Sequence, residues 1–269
     1  MNILIAVVLG IVQGLGEFLP VSSSGHLVLL QKVFGISEQT LFFDTMLHVG
    51  TLFAVVVVLW NDILAILRRP IQPLTGFLII ATIPAVFAAL VFGDQIEYVF
   101  STGQFLGISF LITTLLLCFA ELLSRRISNA NGYKKAAEMN WLDALIIGVF
   151  QAIAIPPGIS RSGATISGAL SRRLDRDFAA RFSFLLSIPV ILGALVLNLR
   201  NLAKNSEAAA GSMGAEVIAG TFAAAIVGFF AVKLMLKIVR EKSLFGFAIY
   251  TAVLGCLILV DQFVTHLVF

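Results

Sequence analysis

Six long apolar segments limit what this chain can fold into. They lie at 41–60, 74–92, 104–123, 178–199, 216–236 and 244–266. Each approaches or exceeds the roughly 18 to 20 residues that a helix needs to cross a bilayer. Hydrophobic residues make up 59% of the chain and charged residues only 12%, which is unlike a soluble domain. Leucine, alanine, phenylalanine and isoleucine favour helices over membrane strands. We therefore expect an all-α integral membrane protein with six transmembrane helices.

Two further apolar regions are interrupted by polar clusters. Residues 3–34 and 141–171 each contain two short apolar stretches with a polar cluster between them. Neither stretch is long enough to cross the membrane alone. Both clusters contain helix-breaking residues, namely Pro20, Pro156, Pro157 and Gly158. We expect two re-entrant helix-loop-helix hairpins, and the alternative is one long span apiece that carries Glu17 and Arg161 through the membrane.

The basic residues predict the orientation of such a chain. One face collects Arg68, Arg69, Arg125, Arg126, Lys134, Lys135, Arg172, Arg173, Arg176, Lys237, Arg240 and Lys242. The other face collects Lys32, Arg200 and Lys204. This excess predicts that the basic face is cytoplasmic and that both termini lie outside. The first hairpin then enters from outside and the second from the cytoplasm. Because the basic residues are scattered between apolar segments, they do not indicate a nucleic-acid partner.

The two polar clusters align with each other when Gln13 is set over Gln151. The alignment pairs Ser22, Ser24 and Gly25 with Ser160, Ser162 and Gly163. A matched pair of broken segments is typical of an internal repeat. We therefore expect one polytopic membrane domain, 1–269, with halves at about 1–124 and 140–269. Because the hairpins enter from opposite faces, the repeat is inverted and its two tips meet near the bilayer midplane.

The composition of each tip suits an anion. A serine-rich loop that leads into a helix start presents unpaired backbone N–H groups and the positive end of the helix dipole. We expect Ser24 and Ser162 to cap these helices. Arg161 adds a planar cation of the kind that binds phosphate oxygens. The expected ligand therefore carries phosphate, and its candidate binding residues are Gln13, Ser22, Ser160, Ser162, Gly163 and Thr165. Thr165 either donates to phosphate or bonds its own helix backbone.

The candidate catalytic residues are Glu17, Ser23, His26 and Arg161. A charge at mid-membrane costs about 2.5 to 3.5 kcal/mol or more, so Glu17 and Arg161 either act in the site or pair with each other. One helical turn can bring His26 near the hydroxyl of Ser22 or Ser23, and the alternative is a bond from His26 to a loop carbonyl. Glu17 is suited to accept a proton, or to bind a divalent metal with the amide oxygen of Gln13.

Other polar residues in apolar segments have simpler interpretations. Asp44 and His48 are one turn apart at the start of a span, and we expect them to line the cavity rather than lie at the interface. Glu121 is close to a segment end and is expected to reach solvent there.

The two tip motifs resemble those of the undecaprenyl-diphosphate phosphatase family, also called the bacitracin-resistance family. The resemblance is carried by QGLGEFLPVSSSGH at 13–26 and PGISRSGATISGAL at 157–170, and it extends over essentially the whole chain. It implies hydrolysis of undecaprenyl diphosphate to the monophosphate, which recycles the lipid carrier for peptidoglycan synthesis and confers resistance to bacitracin. The family positions that match this sequence are Glu17, Ser23, His26, Ser160, Arg161 and Thr165.

The resemblance also implies a cofactor and a location. The cofactor is a divalent cation, magnesium or calcium, and the site faces the periplasm or outer surface of a bacterial plasma (inner) membrane. Gln13 stands where the family has Glu or Gln, which leaves Glu17 as the only acidic residue in either tip and makes a two-carboxylate metal site doubtful. Expected partners are undecaprenyl diphosphate and membrane lipid, and a homo-oligomer is left open.

Two questions stay open at this point. The attacking group is either Ser23 or water. The alternative function is a lipid or small-anion transporter or flippase, because broken helices that meet at mid-depth are also a transporter architecture.

Overall fold

The computed structural model describes residues 1–36, 41–128, 132–204 and 214–269. Within these ranges the chain forms helices, turns and one isolated bridge between Lys134 and Leu174. The α-helices are α1 (Ile3–Gly16), α2 (Ser23–Val33), α3 (Leu41–Val58), α4 (Trp60–Arg68), α5 (Pro73–Val91), α6 (Gly93–Thr102), α7 (Leu106–Ser128), α8 (Trp141–Ile153), α9 (Arg161–Ser171), α10 (Arg176–Lys204), α11 (Ala215–Glu241) and α12 (Phe245–Val260). The all-α prediction is confirmed.

Several of these helices are long and apolar enough to cross a membrane. In the described part of the chain they are α5, α7, α10, α11 and α12, the last continued by a π-helical turn to Thr265. The pair α3 and α4 adds a sixth span if it is counted as one, although its axis bends by 78°. The chain is a multi-pass membrane protein. The bend was not predicted, and neither was α6.

The two interrupted regions form helix-turn-helix units of the predicted extent. α1 and α2 contact each other, as do α8 and α9. α1 has 14 residues and α8 has 13, so each is shorter than a transmembrane helix. The loops between them hold the polar clusters at 17–22 and 154–160.

Helix contacts in the two halves are reciprocal. α1 packs against α11, and α8 packs against α5. α3 contacts α11 in the same way that α10 contacts α5, while α3 contacts α10 and α7 contacts α12. If α1, α3, α5 and α7 correspond to α8, α10, α11 and α12, the first two contacts are equivalent to each other, and so are the next two. The contacts α3–α10 and α7–α12 each connect a helix with its own counterpart.

The open ends of the two helix-turn-helix units lie at opposite ends of α7. Lys32, near the end of α2, has its ammonium 4.9 Å from the ring centroid of Phe269, and both side chains adjoin Gly103 just before α7. At the far end of α7, Ser124 bonds the hydroxyl of Tyr133 at 2.6 Å, shortly before α8 begins. The two units therefore approach α7 from opposite directions.

Small residues let the first unit pack closely on α11. A Cβ built on Gly14 would lie 2.9 Å from the carbonyl oxygen of Ala224. Cβ atoms on Gly10 and Gly50 would collide with the carbonyl oxygens of Gly220 and Thr221. α1, α3 and α11 are therefore in backbone contact, as is common between membrane helices.

Glu121 is buried, contrary to the expectation that it reaches solvent. Its residue exposure is 4%. One carboxylate oxygen accepts from Arg176 at 3.2 Å and from the backbone N–H of Leu244 at 3.1 Å. Arg176 also donates to the carbonyl oxygens of Val239 and Lys242. Because this carboxylate finds a cation and an N–H inside the bundle, it needs no solvent, and it ties α7 to α10 and α12.

Candidate active site

The two loop tips are in direct contact. A Cβ built on Gly25 would lie 2.7 Å from the Cα of Gly158 in the second tip. A Cβ on Gly163 would lie 3.2 Å from the Cβ of Pro20 in the first tip. The hydroxyl of Ser162 donates to the carbonyl oxygen of Leu19 at 3.2 Å. The tips therefore form one continuous site.

Each tip ends in a serine cap at the start of its second helix. Ser22 accepts from the N–H of Gly25 at 3.3 Å, and Ser160 accepts from the N–H of Gly163 at 3.1 Å. The prediction that Ser24 and Ser162 are the caps was wrong. Both lie inside their helices, because α2 begins at Ser23 and α9 at Arg161, and a capping side chain must precede the N–H that it binds.

The backbone of the tips is held in unusual conformations. Ser22 has φ of 67°, in the left-handed region that non-glycine residues seldom occupy. Gly158 has φ of 92°. Thr113 of α7 fixes the second tip, because its hydroxyl donates to the carbonyl oxygen of Gly158 and accepts from the N–H of Ser160, both at 2.9 Å. Such strained, well-supported backbone is frequent at functional sites.

An ion pair between Glu17 and Arg161 joins the two tips. Arg161 Nη2 lies 2.5 Å from Glu17 Oε1. The other carboxylate oxygen accepts from the hydroxyl of Ser23 at 2.7 Å and from the amide of Gln13 at 2.9 Å. Gln13, Glu17 and Ser23 are buried, and Arg161 is partly buried. Three predicted catalytic residues therefore meet at one carboxylate.

His48 of α3 extends this cluster. The amide nitrogen of Gln13 donates to His48 Nδ1 at 2.8 Å, and His48 Nδ1 lies 3.3 Å from Glu17. Asp44, one turn earlier, accepts from the amide of Gln31 at 2.8 Å. His48 thus lies in the site as expected, although it was not among the predicted catalytic or binding residues.

Two buried polar atoms of this cluster have no partner in the described structure. They are the side-chain oxygen of Gln13 and Nη1 of Arg161. Burying an unsatisfied polar group is unfavourable. The Gln13 oxygen is an acceptor, which suits a metal ion or a hydrogen-bond donor. Nη1 of Arg161 is a cationic donor, which suits the anionic oxygens of a ligand.

His26 does not bond the hydroxyl of Ser23. Its Nδ1 instead lies 2.7 Å from the carbonyl oxygen of Ser22, which is the alternative contact with a loop carbonyl. Its Nε2 lies 2.6 Å from the hydroxyl of Tyr250 in α12. No feature of the sequence distinguished Tyr250, since a lone tyrosine in a long apolar segment carries no spacing signal.

Thr165 also makes the contact considered as its alternative. Its hydroxyl donates to the carbonyl oxygen of Arg161 at 2.9 Å, one turn earlier in α9. The hydroxyl of Ser183 in α10 lies 2.5 Å away. Thr165 is fully buried, and it supports the start of α9 next to Arg161.

The side chains fit a divalent cation that is bound partly by the protein and partly by the phosphate oxygens of a ligand. In the described ranges, no three His, Cys, Asp or Glu side chains gather into a metal-binding group. Glu17 and the unpartnered oxygen of Gln13 are both hard oxygen donors. Magnesium is commonly held by one or two carboxylates together with substrate phosphates and water.

Comparison with known proteins identifies the family. The profile described as bacitracin resistance protein BacA matches residues 6–257 of this chain. The chain belongs to the BacA family. Its membership agrees with the resemblance noted in the two tip motifs, and both motifs lie within the matched residues.

Relatives from this family match over nearly their whole length. An undecaprenyl-diphosphatase of Carboxydothermus hydrogenoformans is 48% identical over 262 residues, which cover 97% of this chain and 98% of the relative. Undecaprenyl-diphosphatase 4 of Bacillus thuringiensis subsp. konkukian is 45% identical over 263 residues, with 98% of both chains covered. An undecaprenyl-diphosphatase of Halothermothrix orenii is 41% identical over 268 residues, with 97% and 98% covered.

Proposed function

We propose that this chain hydrolyses undecaprenyl diphosphate to undecaprenyl phosphate and inorganic phosphate. The observation that carries the proposal is the Glu17–Arg161 pair between the two tips, with Ser23 bonded to the same carboxylate. The names of the BacA relatives supply the substrate. Through this reaction the chain recycles the lipid carrier for peptidoglycan synthesis and confers bacitracin resistance.

The diphosphate lies between the tips, and its prenyl tail lies among the helices and lipid. Arg161 turns its unpartnered Nη1 to phosphate oxygens. The N–H groups at the starts of α2 and α9 add further donors. Phosphoryl transfer depends chiefly on such positioning and charge stabilisation. Ser22, Ser160, Ser162 and Gly163 shape this cradle.

Ser23 attacks the terminal phosphorus in our mechanism. Its hydroxyl proton passes to Glu17, whose carboxylate oxygen accepts from this hydroxyl at 2.7 Å. The new Ser23 Oγ–P bond forms as the P–O bond to undecaprenyl phosphate breaks. Water then attacks the phosphoserine, His26 takes a proton from that water, and Glu17 returns its proton to Ser23 as inorganic phosphate leaves. Direct attack by water is the competing mechanism, and full activity of Ser23→Ala would support it.

A magnesium or calcium ion, held by Glu17 and Gln13, would screen the charge of the diphosphate oxygens. This proposal is supported by the unpartnered oxygen of Gln13.

We further propose six transmembrane helices with the α3–α4 pair as one span, and the units 3–34 and 141–171 as re-entrant hairpins. The reciprocal helix contacts and the approach of the two units from opposite ends of α7 support an inverted repeat of halves 1–124 and 140–269 within one domain. Both termini lie outside a bacterial inner membrane, and the active site faces the periplasm or outer surface. Undecaprenyl diphosphate and membrane lipid are the partners.

Labelling of single cysteines tests this orientation. With Cys118 and Cys256 replaced by alanine, a membrane-impermeant maleimide should label Asn2→Cys in intact cells and should label Arg173→Cys only after lysis. The reverse pattern would overturn the orientation.

The assay of the proposed function uses purified protein and lipid diphosphate. We expect release of inorganic phosphate by the wild type, and its loss in Arg161→Ala and His26→Ala. Arg181→Ala is the matched control, because Arg181 pairs with Asp62 and Asp177 away from the tips. The transporter alternative predicts binding or translocation without phosphate release. The names of the BacA relatives do not support that alternative.

A further inference from the structure

Tyr250 contacts His26 from a distant part of the chain. Its hydroxyl lies 2.6 Å from Nε2 of His26. Its ring is stacked parallel to the imidazole, with centroids 5.7 Å apart and an interplanar angle of 5°. Phe110 packs edge-on against the same imidazole, with centroids 5.3 Å apart. The imidazole is therefore held between aromatic rings from α12 and α7.

Of the two ring nitrogens of His26, only Nε2 has a lone pair that can take a proton. The carbonyl oxygen of Ser22 only accepts, so Nδ1 carries the proton of that bond. In the neutral ring, Nε2 is then an acceptor and the Tyr250 hydroxyl is its donor. Ser23 does not compete for Nε2, because its hydroxyl donates to Glu17.

We infer that Tyr250 is a positioning residue of the phosphatase site, which holds His26 with Nε2 as its reactive atom. The inference rests on the proposed function. A phenol hydroxyl donates to Nε2 while the imidazole is neutral and accepts from it once Nε2 is protonated. When water transfers a proton to Nε2, the O–H bond of water breaks and the Nε2–H bond forms. The Tyr250 hydroxyl turns about its C–O bond and keeps its own proton, so that its oxygen now accepts from the new Nε2–H group.

A purely structural role for Tyr250 is the competing explanation. The tyrosine is 46% exposed, and its neighbours Ile249 and Val253 are 65% and 55% exposed. These side chains face the apolar surroundings of the bundle, where a hydroxyl without a partner is unfavourable. The bond to His26 would satisfy that hydroxyl even if it had no role in turnover. The test therefore needs a control that loses an equivalent bond elsewhere.

Tyr133 is that control. Its hydroxyl bonds the hydroxyl of Ser124 at 2.6 Å, the same distance as the bond from Tyr250 to His26. It lies at the end of α7 that is remote from the tips. The Tyr133 hydroxyl also donates to the backbone carbonyl oxygen of Ser124 at 2.9 Å. Tyr133→Phe therefore removes the hydrogen bonds of a tyrosine hydroxyl without touching the site.

Kinetics of the purified full chain provide the first readout. We expect Tyr250→Phe to lower kcat about tenfold with KM within about twofold, since misplaced general bases lose part of their contribution. Tyr133→Phe should leave both constants unchanged, while the thermal unfolding temperatures of the two variants shift by similar amounts. A wild-type kcat in Tyr250→Phe would overturn the inference. So would a lower kcat in both variants, in proportion to how much each variant is destabilised.

Nitrogen NMR of the histidines provides a readout that does not need turnover. The chain has three histidines, and the signals of His26 are those missing in His26→Asn. We expect Tyr250→Phe, but not Tyr133→Phe, to shift the Nε2 signal of His26. An unchanged signal in Tyr250→Phe would contradict the inference. If instead the wild type releases no phosphate, the proposed function fails, whereas the NMR result still reports on the contact.

Discussion

Arg161 and Glu17 are 144 residues apart in the chain, and their side chains meet at 2.5 Å. One belongs to the second tip and the other to the first. The side chain of Arg161 is 15% exposed and that of Glu17 is 4% exposed. A shielded pair of this kind is expensive to break from one side, because the remaining charge has lost its partner.

We expect Arg161→Ala to abolish phosphate release and to lower the free energy of unfolding by about 3 to 5 kcal/mol. The double variant Arg161→Ala with Glu17→Gln should regain much of the stability, since no lone charge remains, but none of the activity. Thermal unfolding and phosphate release measure the two effects. Arg240→Ala breaks an exposed pair with Glu241 and should leave the unfolding temperature nearly unchanged, because solvent screens such a pair. Activity in the double variant would contradict a role in catalysis.

The two serine caps should respond differently to glycine. Ser160→Ala should cost about 1 kcal/mol through loss of the cap, and glycine somewhat less. At position 22 the φ of 67° adds a preference for glycine. We therefore expect the glycine variant to be more stable than the alanine variant at both positions, and this difference in stability should be larger at position 22 than at position 160. Denaturation in matched detergent measures the four variants, and equal differences at the two positions would refute the strained conformation of Ser22.

Gly25→Ala should damage both stability and activity. The added Cβ would lie 2.7 Å from the backbone of Gly158 and 2.8 Å from the ring of Phe110, so the tips must separate. Gly76→Ala is the control, because no atom lies within 4 Å of its Cβ position in α5. There we expect a gain of about 0.5 to 1 kcal/mol. If Gly25→Ala behaved like Gly76→Ala in unfolding and turnover, the tips would not be in contact.

Substitutions of His48 should reveal how Gln13 is held. His48 accepts one hydrogen of the Gln13 amide while Glu17 accepts from the same nitrogen, and these two bonds fix the orientation of the amide and so of its oxygen, the proposed metal ligand. His48→Asn keeps an acceptor near the position of Nδ1, whereas His48→Leu has none. We expect His48→Leu to need a higher magnesium concentration for half-maximal activity than His48→Asn does. Equal magnesium requirements would show that His48 does not orient Gln13.

The sequence predicted the limits of the two tip units well. Proline, glycine and serine clusters interrupt apolar stretches there, and helices α2 and α9 start 138 positions apart, as the alignment of Gln13 with Gln151 requires. The 78° bend between α3 and α4 was not predictable in the same way. No proline or glycine marks it, and hydropathy does not record direction.

Side-chain contacts within the site were predictable only in part. Glu17 and Arg161 could be paired in advance, because two buried charges of opposite sign need each other. The partner of His26 could not, since a single tyrosine 224 positions away shows no periodic relation to it. Capping was misassigned by two residues at Ser24 and Ser162, because consecutive serines offer several equivalent starting points for a helix.

The close backbone packing of α1 and α3 on α11 also has a mechanical consequence. At Gly10, Gly14 and Gly50 the backbones of the helices are in contact, so no long side chains lie between them that could change rotamer. Sliding of one helix along another would bring its backbone into collision with the carbonyl oxygens of its neighbour. We expect the three helices to behave as one solid block on the timescale of turnover. Exchange of a long prenyl product would then rely on rotamer changes and on the fluidity of the surrounding bilayer, rather than on rocking of the scaffold.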